Sequence, residues 1–361
     1  MSHSNLLFSR SRGQRAVKVR QRGLTLIELL VAMTLGLVLI GGVLSVVVTT
    51  RQTLRVNENL ARMQEGARFS FELMAREIRE AGLVPCGTRL TANTLRTVGS
   101  PTVAWWASTD AGMLRGFDEA QDSVDIAAIG AALGDRVAGT DAIMMLRPAG
   151  DEISFRQIAS HDAAAASFAF PSPTAFTDAQ VVMACDGRSS ALFQIQTASN
   201  TPPTIQYGAA TLNCSSSLGS VEPQCASAVA KTFEPDATVA RWDPAFWYVG
   251  INPQGGGSLY RARIAHSSDG QVATVREEMS PGVENLQIDY LTRNRDTGNV
   301  LATAWITASH ANFSTGWTST TAEVVAARLT LTLGSAEAVG SDGQRIRRQL
   351  IVVASLRNRD L

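Results

Sequence analysis

Histidine is scarce in this 361-residue chain, with four in all, and no Cys-x2-Cys or His-rich spacing accompanies them. A zinc site of the ordinary kind is therefore not expected. An excess of either charge is also missing. Lys plus Arg number 32 and Asp plus Glu number 32, which argues against a nucleic-acid partner held by bulk positive charge. His3, His161, His266 and His310 stand in unrelated polar contexts, so no serine or cysteine nucleophile acquires an identifiable base. Neither catalysis nor a cofactor is expected. Hydrophobic residues make up 45% and charged residues 18%, a balance that excludes a disordered chain.

Charge is present but unevenly placed. Arg10, Arg12, Arg15, Lys18, Arg20 and Arg22 precede Gly23 with no acidic residue among them, leaving 26 basic against 32 acidic residues in the remainder. A basic leader joins a mildly acidic body. From Leu29 to Val48 no residue is charged and none is proline. At about 1.5 Å per residue such a helix matches a bilayer's hydrocarbon core of about 30 Å. Thr34 and Ser45, the polar side chains inside, can bond back to the preceding turn. The apolar run is longer than a cleavable secretory signal and lacks a small-x-small cleavage site. Basic residues before the span leave the N-terminus in the cytoplasm and send the body outside.

Glu28 breaks the picture of a plain anchor. It lies at the cytoplasmic edge of the span, where burial costs a few kcal/mol unless a cation meets it. Cutting the chain after Gly23 would create such a cation at the Leu24 amine and remove all six leader charges.

The string Gly23-Leu24-Thr25-Leu26-Ile27-Glu28, preceded by basic residues and followed by an apolar helix, resembles the processing motif of type IV prepilins. The resemblance implies cleavage after Gly23 by a membrane prepilin peptidase and N-methylation of Leu24. Glu28 would be the assembly carboxylate, pairing with a neighbour's N-terminal region. Leu24 stands where major pilins usually have phenylalanine, and Ser45 where many have a helix-kinking proline. Both departures suggest a low-copy component.

Beyond the span, Leu60, Met63, Ala67, Phe71, Met74 and Ile78 recur at spacings of three and four, one apolar stripe of an amphipathic helix. Glu58–Arg62, Arg68–Glu72 and Arg76–Glu80 pair at i,i+4 on the other face. Gly82 and Pro85 supply a stop. The helix is expected over about residues 25–81. The rest reads as strands. Residues 246–251 and 259–264 form a hairpin around 252–257, and strands follow at 283–291, 328–333 and 347–356, with Asp342-Gly343 in the turn before the last. Weaker strands at Ile143–Leu146, Ile153–Ile158, Val181–Met183 and Leu192–Gln196 fall in a large insertion over residues 86–240. Alternation implies an antiparallel sheet with one buried face, the seat for the amphipathic half-helix.

The segment Gly282–Tyr290 and the terminal Leu356-Arg357-Asn358-Arg359 are similar to the PilW family of minor pilins. That likeness implies an α+β, type IV pilin-like fold. Its parts are a cleaved leader (1–23), a transmembrane half-helix (24–50), an amphipathic half-helix (51–84) and an exported β-rich head (85–361). Its implied partners are other minor pilins and the major pilin through the N-terminal helix, the prepilin peptidase, inner-membrane lipid and a tip adhesin. The implied location is the bacterial inner membrane, head in the periplasm, and then the pilus. A minor pseudopilin of type II secretion shares the N-terminal motif, and a single-pass anchored adhesin or enzyme shares the span.

Cys86, Cys185, Cys214 and Cys225 all follow the span, and an even count there favours disulfides. Three pairings are possible. Cys214–Cys225 closes a short loop at low entropic cost, which leaves Cys86–Cys185. Residues 294–299 faintly suggest a calcium loop but lack its twelve-residue ligand pattern, so a plain turn is expected. Trp105-Trp106 and Phe246-Trp247-Tyr248 are expected to fill the core.

Overall fold

A computed structural model describes residues 23–361 apart from 88–89, 96–103, 110–111, 124, 151–154, 209–211, 220–228, 315, 336, 339–343 and 357–361. The turn expected at Asp342-Gly343, the terminal Arg357–Arg359 and Cys225 lie outside the described residues. The chain divides into two compact units, residues 1–55 and 56–361. One helix, Leu26–Glu80, contributes to both.

In the first unit the helix carries Leu26 to Val48 with their apolar side chains exposed on every side. Thr34 donates its hydroxyl to the Val31 carbonyl at 2.9 Å, and Thr49 and Thr50 do the same to Ser45 and Val46 at 2.9 and 2.8 Å. These three hydroxyls are thus satisfied inside the helix, as a low-dielectric surrounding requires, whereas the Ser45 hydroxyl makes no hydrogen bond among the described residues.

The second unit is a stack of layers. The helix ends where Gly82 turns to φ +73°, a conformation glycine adopts without strain, and its N–H reaches the Leu146 carbonyl at 3.0 Å. Ala67, Phe71, Met74, Ala75 and Ile78 are buried. They share a core with residues from two sheets. One sheet runs Val272–Pro281, Gly257–His266, Ala245–Ile251, Ala142–Met145, Leu114–Phe117. The other runs Val300–Leu301, Val283–Asn294, Glu323–Gly334, Arg347–Ser355. Both are antiparallel throughout.

Alternation along the first sheet sends Ile143, Met145, Trp247 and Val249 toward the helix and Ala142, Met144, Phe246 and Tyr248 to the opposite side. That second face packs on a middle sheet of Ala92–Asn93, Ser190–Gln194, Val181–Cys185, Thr238–Arg241 and Phe155–Gln157. The far face of the middle sheet, Val182, Ala184, Phe193 and Val239, packs on an outer sheet of Ser160–Asp162, Ser167–Ala169, Pro203–Gln206 and Thr197–Asn200.

Four expectations need correction. The helix seats on two sheets instead of one, because Val283–Asn294 and Glu323–Gly334 do not join the hairpin's ladder. Ile143–Leu146 is not part of an insertion: the strand Ala142–Met145 pairs directly with Ala245–Ile251, and all four residues are buried. The middle sheet is not antiparallel throughout, because Ala92–Asn93 pairs with Ser190–Gln194 in parallel. The last of these strands also begins two residues earlier than its apolar residues suggest.

Candidate functional site

The segment Gly23–Thr25 is non-helical and exposed, and no atom lies within 4 Å of a Cβ placed at Gly23. Thr25 is the helix N-cap, its carbonyl accepting from Leu29 N–H at 3.2 Å. The Glu28 N–H donates to Thr25 Oγ1 at 3.3 Å, while Thr25 N–H and its hydroxyl each donate to Glu28 Oε2 at 3.2 Å. This is a reciprocal capping box, legible as Thr-x-x-Glu and missed when the sequence was read for charge alone. It starts the helix at Leu26, two residues past Leu24. Glu28 Oε1 accepts no hydrogen bond among the described residues, so the carboxylate keeps an open acceptor beside the capped turn.

Residues 18–44 match the prokaryotic N-terminal methylation motif family. The chain carries a prepilin signal of the type IV pilin kind, and that motif implies a pilin-like or pseudopilin protein. It implies processing by a prepilin peptidase and assembly with other pilins, and with the one helix among the described residues that is long and apolar enough to cross a membrane it fits anchoring in the inner membrane. No curated protein and no solved structure matches the chain.

At the other end of the helix lies a cluster that sequence reading missed. Glu77 sits on the apolar stripe, three residues after Met74, and is 1% exposed. Its Oε1 meets Arg147 Nη2 at 2.8 Å and Arg261 Nη2 at 2.7 Å, and its Oε2 accepts from Trp247 Nε1 at 2.5 Å. Arg147 also reaches Glu80 at 3.0 Å and Asp243 at 2.8 Å. The network borders a cleft of about 180 Å³ lined by Leu73, Arg76, Gly150 and Arg241 among others. A charged residue on an otherwise apolar stripe was the available signal. The network sets helix rotation and register against the hairpin strands, since a one-residue slip would strand buried charges.

Cys86, just past the helix, is bonded to Cys185 in the middle sheet, with Cα atoms 5.8 Å apart. Cys214 is also in a disulfide, and its expected partner Cys225 lies outside the described residues.

Two histidines are placed differently from their sequence context. His161 is buried among Phe168, Tyr207 and Phe233. Its Nδ1 accepts from Phe233 N–H at 3.0 Å, which puts the proton of the neutral ring on Nε2, facing the Tyr207 hydroxyl at 2.6 Å. His266 Nε2 accepts from Val181 N–H at 3.1 Å. Burial pushes both rings down to about 4. They are satisfied structural groups. Asn294 Oδ1 accepts from the N–H groups of Asp296 and Thr297, the plain Asx turn expected over residues 294–299. No cluster of three or more potential metal ligands occurs among the described residues. Trp105, Trp106, Phe246, Trp247 and Tyr248 are all buried.

Proposed function

We propose that the protein is a minor pilin that takes part in type IV pilus assembly, within the tip complex that starts polymerisation. The observation that carries the reading is the methylation motif at residues 18–44, whose Glu28 is held by a capping box at the mouth of an uncovered apolar helix. The resemblance of residues 282–290 to the PilW family favours a minor subunit in this reading, and Leu24 and Ser45 agree with a low-copy role.

The mechanism is non-enzymatic. The leader is cut after Gly23 and the Leu24 amine is methylated, which keeps its charge. The apolar half-helix then exchanges lipid for the helices of neighbouring subunits, the major pilin and other minor pilins among them. Both surroundings are apolar, so this step supplies little net free energy. Pairing of Glu28 with a neighbour's amine gives direction and register, because desolvation offsets much of a buried pair's attraction. The head stands in the periplasm during assembly and at the pilus tip afterwards, where it can carry a tip adhesin.

N-terminal mass spectrometry of the membrane-extracted protein tests the reading. A methylated N-terminus at Leu24 is expected, and a chain still beginning at Met1 in its working location overturns it. The type II pseudopilin alternative shares the same motif. Deletion separates the two: loss of pili and twitching supports the minor pilin, and loss of protein secretion supports the pseudopilin.

A further inference from the structure

Exposed sheet edges present unpaired backbone N–H and C=O groups, and proteins usually keep them short or charged. Most edges of this molecule follow that rule. The edges Ala92–Asn93, Phe155–Gln157, Ser160–Asp162, Thr197–Asn200, Leu114–Phe117 and Val300–Leu301 have four residues or fewer. The long edge Val272–Pro281 carries Arg276, Glu277 and Glu278 and ends in proline.

Arg347–Ser355 departs from it. This edge strand has nine residues, pairs with Glu323–Gly334 along its full length without a register shift, and carries no charge after Arg348. Leu350, Val352 and Ala354 face the helix-side core, which leaves Ile351 and Val353 outward, 61% and 53% exposed. Across the ladder the outward neighbours are polar. Ile351 lies beside Thr330 and then Gln287; Val353 lies beside Arg328 and then Asp289, which pair at 2.8 Å. The usual arrangement is thus inverted: charges stand on the interior strands and aliphatic side chains on the edge. Arg345 and Arg348, both exposed, make no ion pair among the described residues and give one end of the strand a positive charge.

We propose that Arg347–Ser355 is a strand-addition site for another subunit of the assembly. The occupant is an extended segment that continues the ladder, covers Ile351 and Val353 with aliphatic side chains, and places acidic residues against Arg345 and Arg348. The inference rests on the assembly reading above.

Amide hydrogen exchange distinguishes the two. The full chain is compared in detergent micelles and in assembled filaments or membrane complexes. Slowing of at least about tenfold across both the apolar helix and residues 349–355 is the expected result. Slowing in the helix alone overturns the strand-addition site and leaves the assembly reading standing. Slowing in neither overturns both. As a second arm, Ile351→Lys, Val353→Lys and Arg348→Glu are exposed changes expected to leave the melting temperature unmoved while lowering incorporation about tenfold. Unchanged incorporation overturns the proposal. A dimer of the isolated chain that Ile351→Lys dissociates makes the occupant a second copy and overturns the choice of a different, acidic partner.

Discussion

The two halves of the helix Leu26–Glu80 share one backbone geometry and are stabilised by different surroundings. The first half is apolar all round, and none of its large apolar side chains is buried among the described residues. The second half buries one stripe, Ala67 to Ile78, on two sheets and adds a buried ionic network at Glu77. Each apolar side chain covered is worth about 1.5–3 kcal/mol relative to exposure. The second half draws that stabilisation from its own head, whereas the first must draw it from lipid or from other subunits. Acidic residues differ in the same way. Glu28 is capped yet keeps an open acceptor, and Glu77 has all its charge partners inside the molecule.

Substitutions can break that comparison. Glu77→Ala leaves buried Arg147 and partly buried Arg261 beside a void with Asp243 as their shared remaining carboxylate, and a loss of about 3 kcal/mol in denaturant unfolding of the head is expected. Ile78→Ala should cost about 2–5 kcal/mol in the same measurement. Leu39→Ala, the same kind of truncation in the first half, should leave head unfolding unchanged. A loss there would show that the two halves are not supported separately. Glu28→Ala should likewise leave head stability intact while lowering incorporation into filaments, and wild-type pilus numbers would remove Glu28 from the mechanism.

Acid sharpens the contrast, because its effects fall on the head. His161 and His266 bind protons less readily folded than unfolded. Their contribution is complete above pH 6.5, their ordinary value, and is lost as pH falls toward 4. Each should cost on the order of a kcal/mol by pH 5, read as a lower melting temperature than at pH 7.5. Asp141 has the opposite sign. Its N–H donates to the Leu286 carbonyl at 2.8 Å and its Oδ2 accepts from Ile288 N–H at 2.7 Å, stitching the two helix-side sheets together. Burial raises it from 3.8 to about 7, so its contribution is complete below pH 3.8 and lost as pH rises through 7. Relative to the parent, Asp141→Asn should gain melting temperature as pH goes from 5 to 8. The smallest effect belongs to Arg68→Ala on the exposed helix face. Its pair with Glu72 is solvated, and a change of a few tenths of a kcal/mol is expected.

Residues near in sequence were legible where a period repeats. The stripe Leu60–Ile78 and the alternation of 328–333 place a helix and a strand because side chains three or four apart share a helix face and those two apart share a strand face. The strand Val272–Pro281 was not legible. As an edge it is half-exposed, so Arg276, Glu277 and Glu278 satisfy it as well as apolar residues would. The short outer strands Ser160–Asp162 and Ser167–Ala169 are too brief to show a period. His161 looked polar because its neighbours in sequence are polar. Its aromatic surroundings come from Phe168, Tyr207 and Phe233.

The candidate site divides along the same line. Gly23, Leu24, Thr25 and Glu28 act within one helical turn, so their chemistry follows from order along the chain. Glu77, Arg147, Asp243, Trp247 and Arg261 come from three distant stretches, and only the packing of helix on sheets brings them within hydrogen-bonding distance. The sequence alone determined an apolar helix with a processing signal, because local spacing sets helix faces and caps. Tertiary structure decided which charge is buried, which edge is left open and which histidine stays neutral. Each of those depends on the dielectric and the partners that non-local contacts create.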